Sequence, residues 1–155
     1  MLRALFGKER LVTAGAIEAV TASRPTSIKE AAVFGAEHGQ RDAYLREFLD
    51  EFYCADDDDR RAAMLRDEPP LVDGDRANAY YAAVAEHLAF EYHLPAPPWT
   101  SAPSRFLTRP FFPSGLESLK ATLLRDSPVA FRRRMIFVDA NPLYRPRKDV
   151  PRFGM

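Results

Sequence analysis

The sequence predicts a mainly α-helical fold, a compact domain of about six or seven helices with a proline-rich aromatic loop and one or two short C-terminal strands. Three observations predict it. Apolar residues recur at spacings of three and four through residues 1–94. Six prolines then fall between positions 95 and 113, where no helix interior tolerates them. Past the loop, residues 135–138 (Met-Ile-Phe-Val) are rich in strand formers. A chain of 155 residues is sized for one domain, taken here as residues 1–155. At 46% hydrophobic and 28% charged, its composition is globular rather than disordered.

The first helix is expected over residues 10–22, where Leu11, Ala14, Ile17 and Val20 make one apolar stripe. Pro25 ends it, because the residue before a proline avoids helical backbone. Ser27 and Glu30 have capping-box spacing and open a second helix, with Gly39 as its stop. A third runs over residues 41–54, with Leu45, Phe48, Leu49 and Phe52 inward and Arg46, Glu47, Asp50 and Glu51 outward. The acidic run 56–59 reads as an N-cap and favourable charge at the start of a helix over 60–66. Asp73-Gly74-Asp75 is a turn and cap before the longest helix, about residues 76–92.

Residues 95–113 read as an ordered extended loop, since Trp99, Phe106, Phe111 and Phe112 are too apolar for a solvated linker. Ser114 and Glu117 repeat the capping-box spacing before a short helix over 116–124. Ser127 is expected to cap a further helix with Pro128 at its first position. The strand at 135–138 needs a pairing partner. Residues 105–108, residues 143–145 and a strand of another molecule all remain open. Residues 145–155 are expected to form a flexible basic tail.

The net charge is zero, yet it divides. Residues 1–94 hold 11 basic and 18 acidic side chains; residues 95–155 hold 11 basic and 4 acidic ones. Such asymmetry signals either a charged partner or two halves that pack and neutralise each other. Cys54 is the single cysteine, so no intrachain disulfide forms, which fits a reducing, cytoplasmic setting. No apolar run is long enough to span a bilayer, and residues 1–10 are too short and too charged for a signal peptide.

The sequence shows no motif for catalysis. It has no GxSxG, no glycine-rich phosphate loop and no CxxC, and its carboxylates are spaced like solvated helix faces. His87 and Glu91 stand four apart on one helix face, but two ligands do not make a zinc site. No metal and no cofactor is therefore expected. An enzyme would need a deep polar pocket around His87 or His93. Two binding readings compete with it. Residues 27–52 carry a helix-turn-helix pattern, with Ala31 as the small residue and Gly35 as the turn glycine, although the second helix is acidic. The C-terminal segment interleaves Arg132, Arg133, Arg134, Arg145, Arg147, Lys148 and Arg152 with Phe131, Phe137 and Tyr144, a pattern suited to nucleic acid.

The stretch Pro98-Trp99, Ser104-Arg105-Phe106-Leu107, Arg109-Pro110-Phe111-Phe112, Leu119-Lys120-Ala121 and Ser127-Pro128 through Val138 resembles a group of short uncharacterised bacterial proteins. They share a tryptophan-bearing proline loop and an SPxAFRRRxIFV ending. The resemblance covers about the last sixty residues and implies an antitoxin-like role, as the small partner in a toxin–antitoxin-type pair. The function expected is thus non-enzymatic protein binding through the basic aromatic C-terminal half. The partner would be a protein, such as a toxin, or a second copy of the chain. Trp99, Phe111, Phe112, Arg132, Arg133 and Arg134 are the candidate partner-binding residues. A nucleic-acid-binding regulator is the alternative.

Overall fold

A computed structural model describes residues 24–146. The helix expected over residues 10–22 lies outside them. Among the described residues the fold is mainly helical. Its α-helices are α1 (Ile28–His38), α2 (Arg41–Cys54), α3 (Asp58–Arg66), α4 (Asp75–Glu91), α5 (Lys120–Asp126) and α6 (Val129–Arg132). Short 3-10 turns cover Pro98–Ser101, Pro103–Arg105 and Glu117–Leu119.

Local chemistry sets the helix starts. The Glu30 amide donates to Ser27 Oγ at 3.1 Å. The Glu30 carboxylate reaches back one residue further than a capping box requires, accepting from the Thr26 amide and hydroxyl at 2.9 Å. Asp57 caps α3 by accepting from the Arg60 amide at 2.8 Å, and its neighbours Asp58 and Asp59 sit at the positive end of the helix. Arg61 of α3 then turns back and donates to the Phe52 and Ala55 carbonyls that end α2, at 3.2 and 2.7 Å.

Three helices end in the same turn. Gly39 (φ 65°), His93 (φ 56°) and Met135 (φ 65°) adopt left-handed backbone after α1, α4 and α6. In each case the next amide bonds a carbonyl five residues earlier: Gln40 to Gly35, Leu94 to Ala89 and Ile136 to Phe131.

The core is built around α4. Ala79, Ala82, Ala83, Val84, Ala85, Leu88 and Ala89 are all buried, so this helix is covered on most sides. Its small side chains let α1, α3, α6 and the 3-10 turns of the proline loop approach closely. Phe48, Phe52, Leu65, Phe131 and Ile136 fill the space between. α1 packs on α2 through Gly35, where a Cβ would lie 2.8 Å from the Arg41 backbone.

Residues 135–138 do not form the expected strand. They make one isolated parallel bridge, Phe111 to Ile136. The Phe111 amide donates to the Met135 carbonyl at 2.8 Å, and the Phe137 amide donates to the Phe111 carbonyl at 2.9 Å. The next rung would need an amide hydrogen at residue 113, which is a proline. None of the three partners left open by the sequence is the one used.

Two further expectations change. Ser127 does not cap α6. Its hydroxyl lies 2.6 Å from the Leu123 carbonyl, and it accepts from the Val138 amide at 2.9 Å, tying the end of α5 to the bridge segment. The helix expected from residue 116 starts instead as the 3-10 turn Glu117–Leu119, and α5 begins at Lys120. Ser114 reaches only the Leu116 amide, at 3.4 Å.

Candidate functional site

Arginine chemistry dominates the C-terminal half. A guanidinium carries five N–H donors, and the absence of a sheet among the described residues leaves many loop carbonyls in need of one. Arg105 and Arg134, both 0% exposed, supply them. Arg105 donates to the Asn78 carbonyl at 3.2 Å, to the Pro69 carbonyl and to Glu68 at 2.9 Å, with its plane 5.0 Å from the Trp99 ring. Arg134 donates to the Ala130 and Thr100 carbonyls at 2.7 and 2.6 Å and meets Glu86 at 2.7 Å. Burial lowers the pKa of Arg134, and Glu86 opposes that shift.

The six candidate binding residues separate into two kinds. Trp99 is buried, and its indole donates to the Leu65 carbonyl at 3.0 Å. Arg134 faces inward as just described. Phe111 packs against the core beneath Arg76, whose guanidinium lies 4.4 Å from its ring. Phe112 stacks on Phe137 at 5.2 Å and meets Lys120 at 5.0 Å. Arg132 and Arg133 are exposed. Arg132 donates to the Arg125 and Ser127 carbonyls, and Arg133 pairs with Glu86 at 3.0 Å. The three consecutive arginines therefore point into three different environments.

Among the described residues the divided charge meets across the two halves at three carboxylates. Glu68 meets Arg105, Glu86 meets Arg133 and Arg134, and Asp50 forms a two-pronged pair with Arg145 at 2.9 and 3.0 Å. That pair holds the Arg145 pKa above its ordinary value. Arg145 is also the first residue of the expected tail; residues 147–155 lie outside the described part.

The helix-turn-helix pattern meets a different geometry. Gly35 lies inside α1, and the turn glycine is Gly39. The exposed face of α2 carries Asp42, Glu47 and Glu51, with Arg24 bridging the last two at 3.6 Å.

His87 lines a cleft of about 400 Å³ with Glu91, Tyr92, Asn141, Tyr144 and Arg145. Burial lowers the His87 pKa, against the pull of Glu91. Its ring sits edge-on to Phe131 at 5.7 Å. His93 is spent on the left-handed turn and lies on the surface. Among the described residues no three His, Cys, Asp or Glu side chains gather to hold a metal. No helix among them is long and apolar enough to cross a membrane.

The C-terminal half also presents apolar side chains that the sequence did not single out. Leu116, Leu119, Leu124 and Val129 are 54, 39, 49 and 68% exposed. Leu123, between them, is buried and anchors the segment. Lys120, Arg125 and Arg132 stand in the same stretch. Helical periodicity alone marks Leu119 and Leu123 as one inward face; no sequence signal tells which leucines remain uncovered. Comparison with protein-family models, with curated proteins and with solved structures finds no match for the chain.

Proposed function

We propose that the chain is a non-enzymatic, antitoxin-like interaction protein that binds a protein partner through its C-terminal half. The observation that carries this reading is the exposure of Leu116, Leu119, Leu124 and Val129 within one short, well-anchored segment. Apolar side chains grouped on a surface mark interaction sites more often than singly scattered ones do. Lys120 and Arg125 pair with Glu117 and Asp126 of the same segment, which leaves Arg132 as its one cation without a carboxylate among the described residues, so the matching partner surface is mainly apolar. Trp99 and Arg134 are turned inward, Arg134 holding the Ala130 carbonyl beside Val129, and Arg132 and Arg133 are the candidate residues left at the surface.

The test is affinity capture of the tagged protein from its own cells, followed by analysis of both protein and nucleic acid. Leu124→Asp and Val129→Asp are compared with a control changed at Phe90, an exposed residue on α4. The reading expects one stoichiometric protein that survives high salt, is lost with the two aspartate variants and persists with Phe90→Asp. Nucleic acid released by salt, with capture indifferent to these substitutions, supports the nucleic-acid reading instead.

A further inference from the structure

A second cleft lies where the first turns of α2 and α4 meet the 111–113 loop. Its volume is about 330 Å³, at the small end of ligand sites. Leu45, Tyr80, Phe111 and Pro113 make its walls largely apolar and aromatic. Three polar groups border it without partners among the described residues. Arg41 and Arg76 have no carboxylate within ion-pair distance, although Arg76 is positioned by its stacking on Phe111 at 4.4 Å. Tyr81 is 4% exposed, and its hydroxyl is buried with no hydrogen-bond partner.

An orphaned buried hydroxyl costs about 1–3 kcal/mol, and a native fold seldom keeps one without a reason. Here it lies closed off beneath an aromatic cleft whose lining also carries two cations without carboxylates, Arg41 and Arg76. Gly35 matters to this arrangement, because its missing side chain lets the start of α2 sit against α1 and brings Arg41 and Asp42 to the rim.

We propose that this cleft binds a small aromatic acid that also carries an N–H or O–H donor, a molecule of the aminobenzoate or hydroxybenzoate class. The ring lies between the aromatic walls. The carboxylate faces Arg41 and Arg76, and it accepts from the Tyr81 hydroxyl once the Tyr81 ring tips toward the cleft. Asp42, which has no ion-pair partner among the described residues, accepts from the second donor and disfavours acids that lack one. Burial raises the Tyr81 pKa, Asp42 adds to the rise and Arg41 opposes it, so the phenol is a protonated donor at neutral pH. The site uses none of the residues of the docking segment, so either reading can fail without the other.

Calorimetric titration with 4-aminobenzoate, 4-hydroxybenzoate and salicylate tests the proposal, with benzamide as the uncharged comparison. At least one acid is expected to saturate a single site, with benzamide about tenfold weaker or more. Tyr81→Phe removes no internal hydrogen bond, so it folds, and it is expected to weaken the acid about ten- to hundredfold. Arg76→Gln weakens it as well. The proposal is overturned if none of the three acids binds saturably, or if affinity is indifferent to both substitutions.

Discussion

Replacing each of Arg132, Arg133 and Arg134 by methionine separates their roles quantitatively. Arg134→Met removes the donors to two buried carbonyls, those of Ala130 and Thr100, and one partner of Glu86. Each buried acceptor left unpaired costs about 1–3 kcal/mol. Breaking a buried pair from one side costs about 3–5 kcal/mol, but here Arg133 still holds Glu86. Methionine also recovers some of the packing against Phe106, whose ring lies 4.6 Å from the guanidinium. These effects together give a loss of about 3–5 kcal/mol. Arg133→Met breaks one partly exposed pair, about 0–1 kcal/mol. Arg132→Met falls between, because it strands the Ser127 carbonyl at the surface edge. Equilibrium urea unfolding, read as a midpoint shift at constant slope, measures all three. If Arg134→Met and Arg133→Met agree within about 1 kcal/mol, the carbonyl-clamping account of Arg134 is wrong.

Two further outcomes follow from backbone and charge. His93→Gly relieves a left-handed residue on the surface, worth about 1–2 kcal/mol, against the larger unfolded-state entropy of glycine, about 0.5–1 kcal/mol; scanning calorimetry should show a rise in Tm of about 1–3 °C. A fall would mean the imidazole makes a stabilising contact. Tyr80 has its pKa raised to about 12, by burial first and then by Asp42 and Asp139. A folded pKa above the unfolded value of 10.0 means that Tyr80 contributes its stability fully below pH 10 and loses it as pH rises toward 12, about 2–3 kcal/mol in all. Ultraviolet titration should show Tyr80 and Tyr81 ionising late, and Tyr80→Phe should remove one phenol from that late step and move alkaline unfolding to higher pH.

What the sequence made legible is what depends on near neighbours. Ser27, Asp57 and Gly39 act within four residues of themselves, and each does what its type and spacing imply. The left-handed turns at His93 and Met135 carry no glycine and were silent. The strand expected at 135–138 shortens to a single bridge because β-forming side chains describe one side of a ladder, whereas Pro113 on the other side stops it. Arg105 and Arg134 look like surface arginines in one dimension. Their burial depends on carbonyls 34 and 36 residues away, at Thr100 and Pro69. The candidate site divides in the same way: arginine and aromatic residues were recognisable, but which of them turn inward was set by distant chain. Exposed Leu124 and buried Leu123 differ by one position and by no chemistry.

An irregular proline-rich stretch is ordinarily where a chain accepts insertions, tags and protease cuts. Here Trp99, Thr100 and Arg105 are buried and fasten that stretch to Leu65, Asn78 and Arg134, although its other residues are mostly exposed. The stretch is a keystone rather than a hinge. A protease would meet residues 98–105 as a stretch pinned at Trp99, Thr100 and Arg105, and a split between residues 94 and 95 would strip Trp99, Phe131, Ile136, Val138 and Leu143 from the core that the helices before it supply. Mapping of binding regions by truncation would therefore report unfolding as loss of binding, and single surface substitutions are the tool this architecture permits.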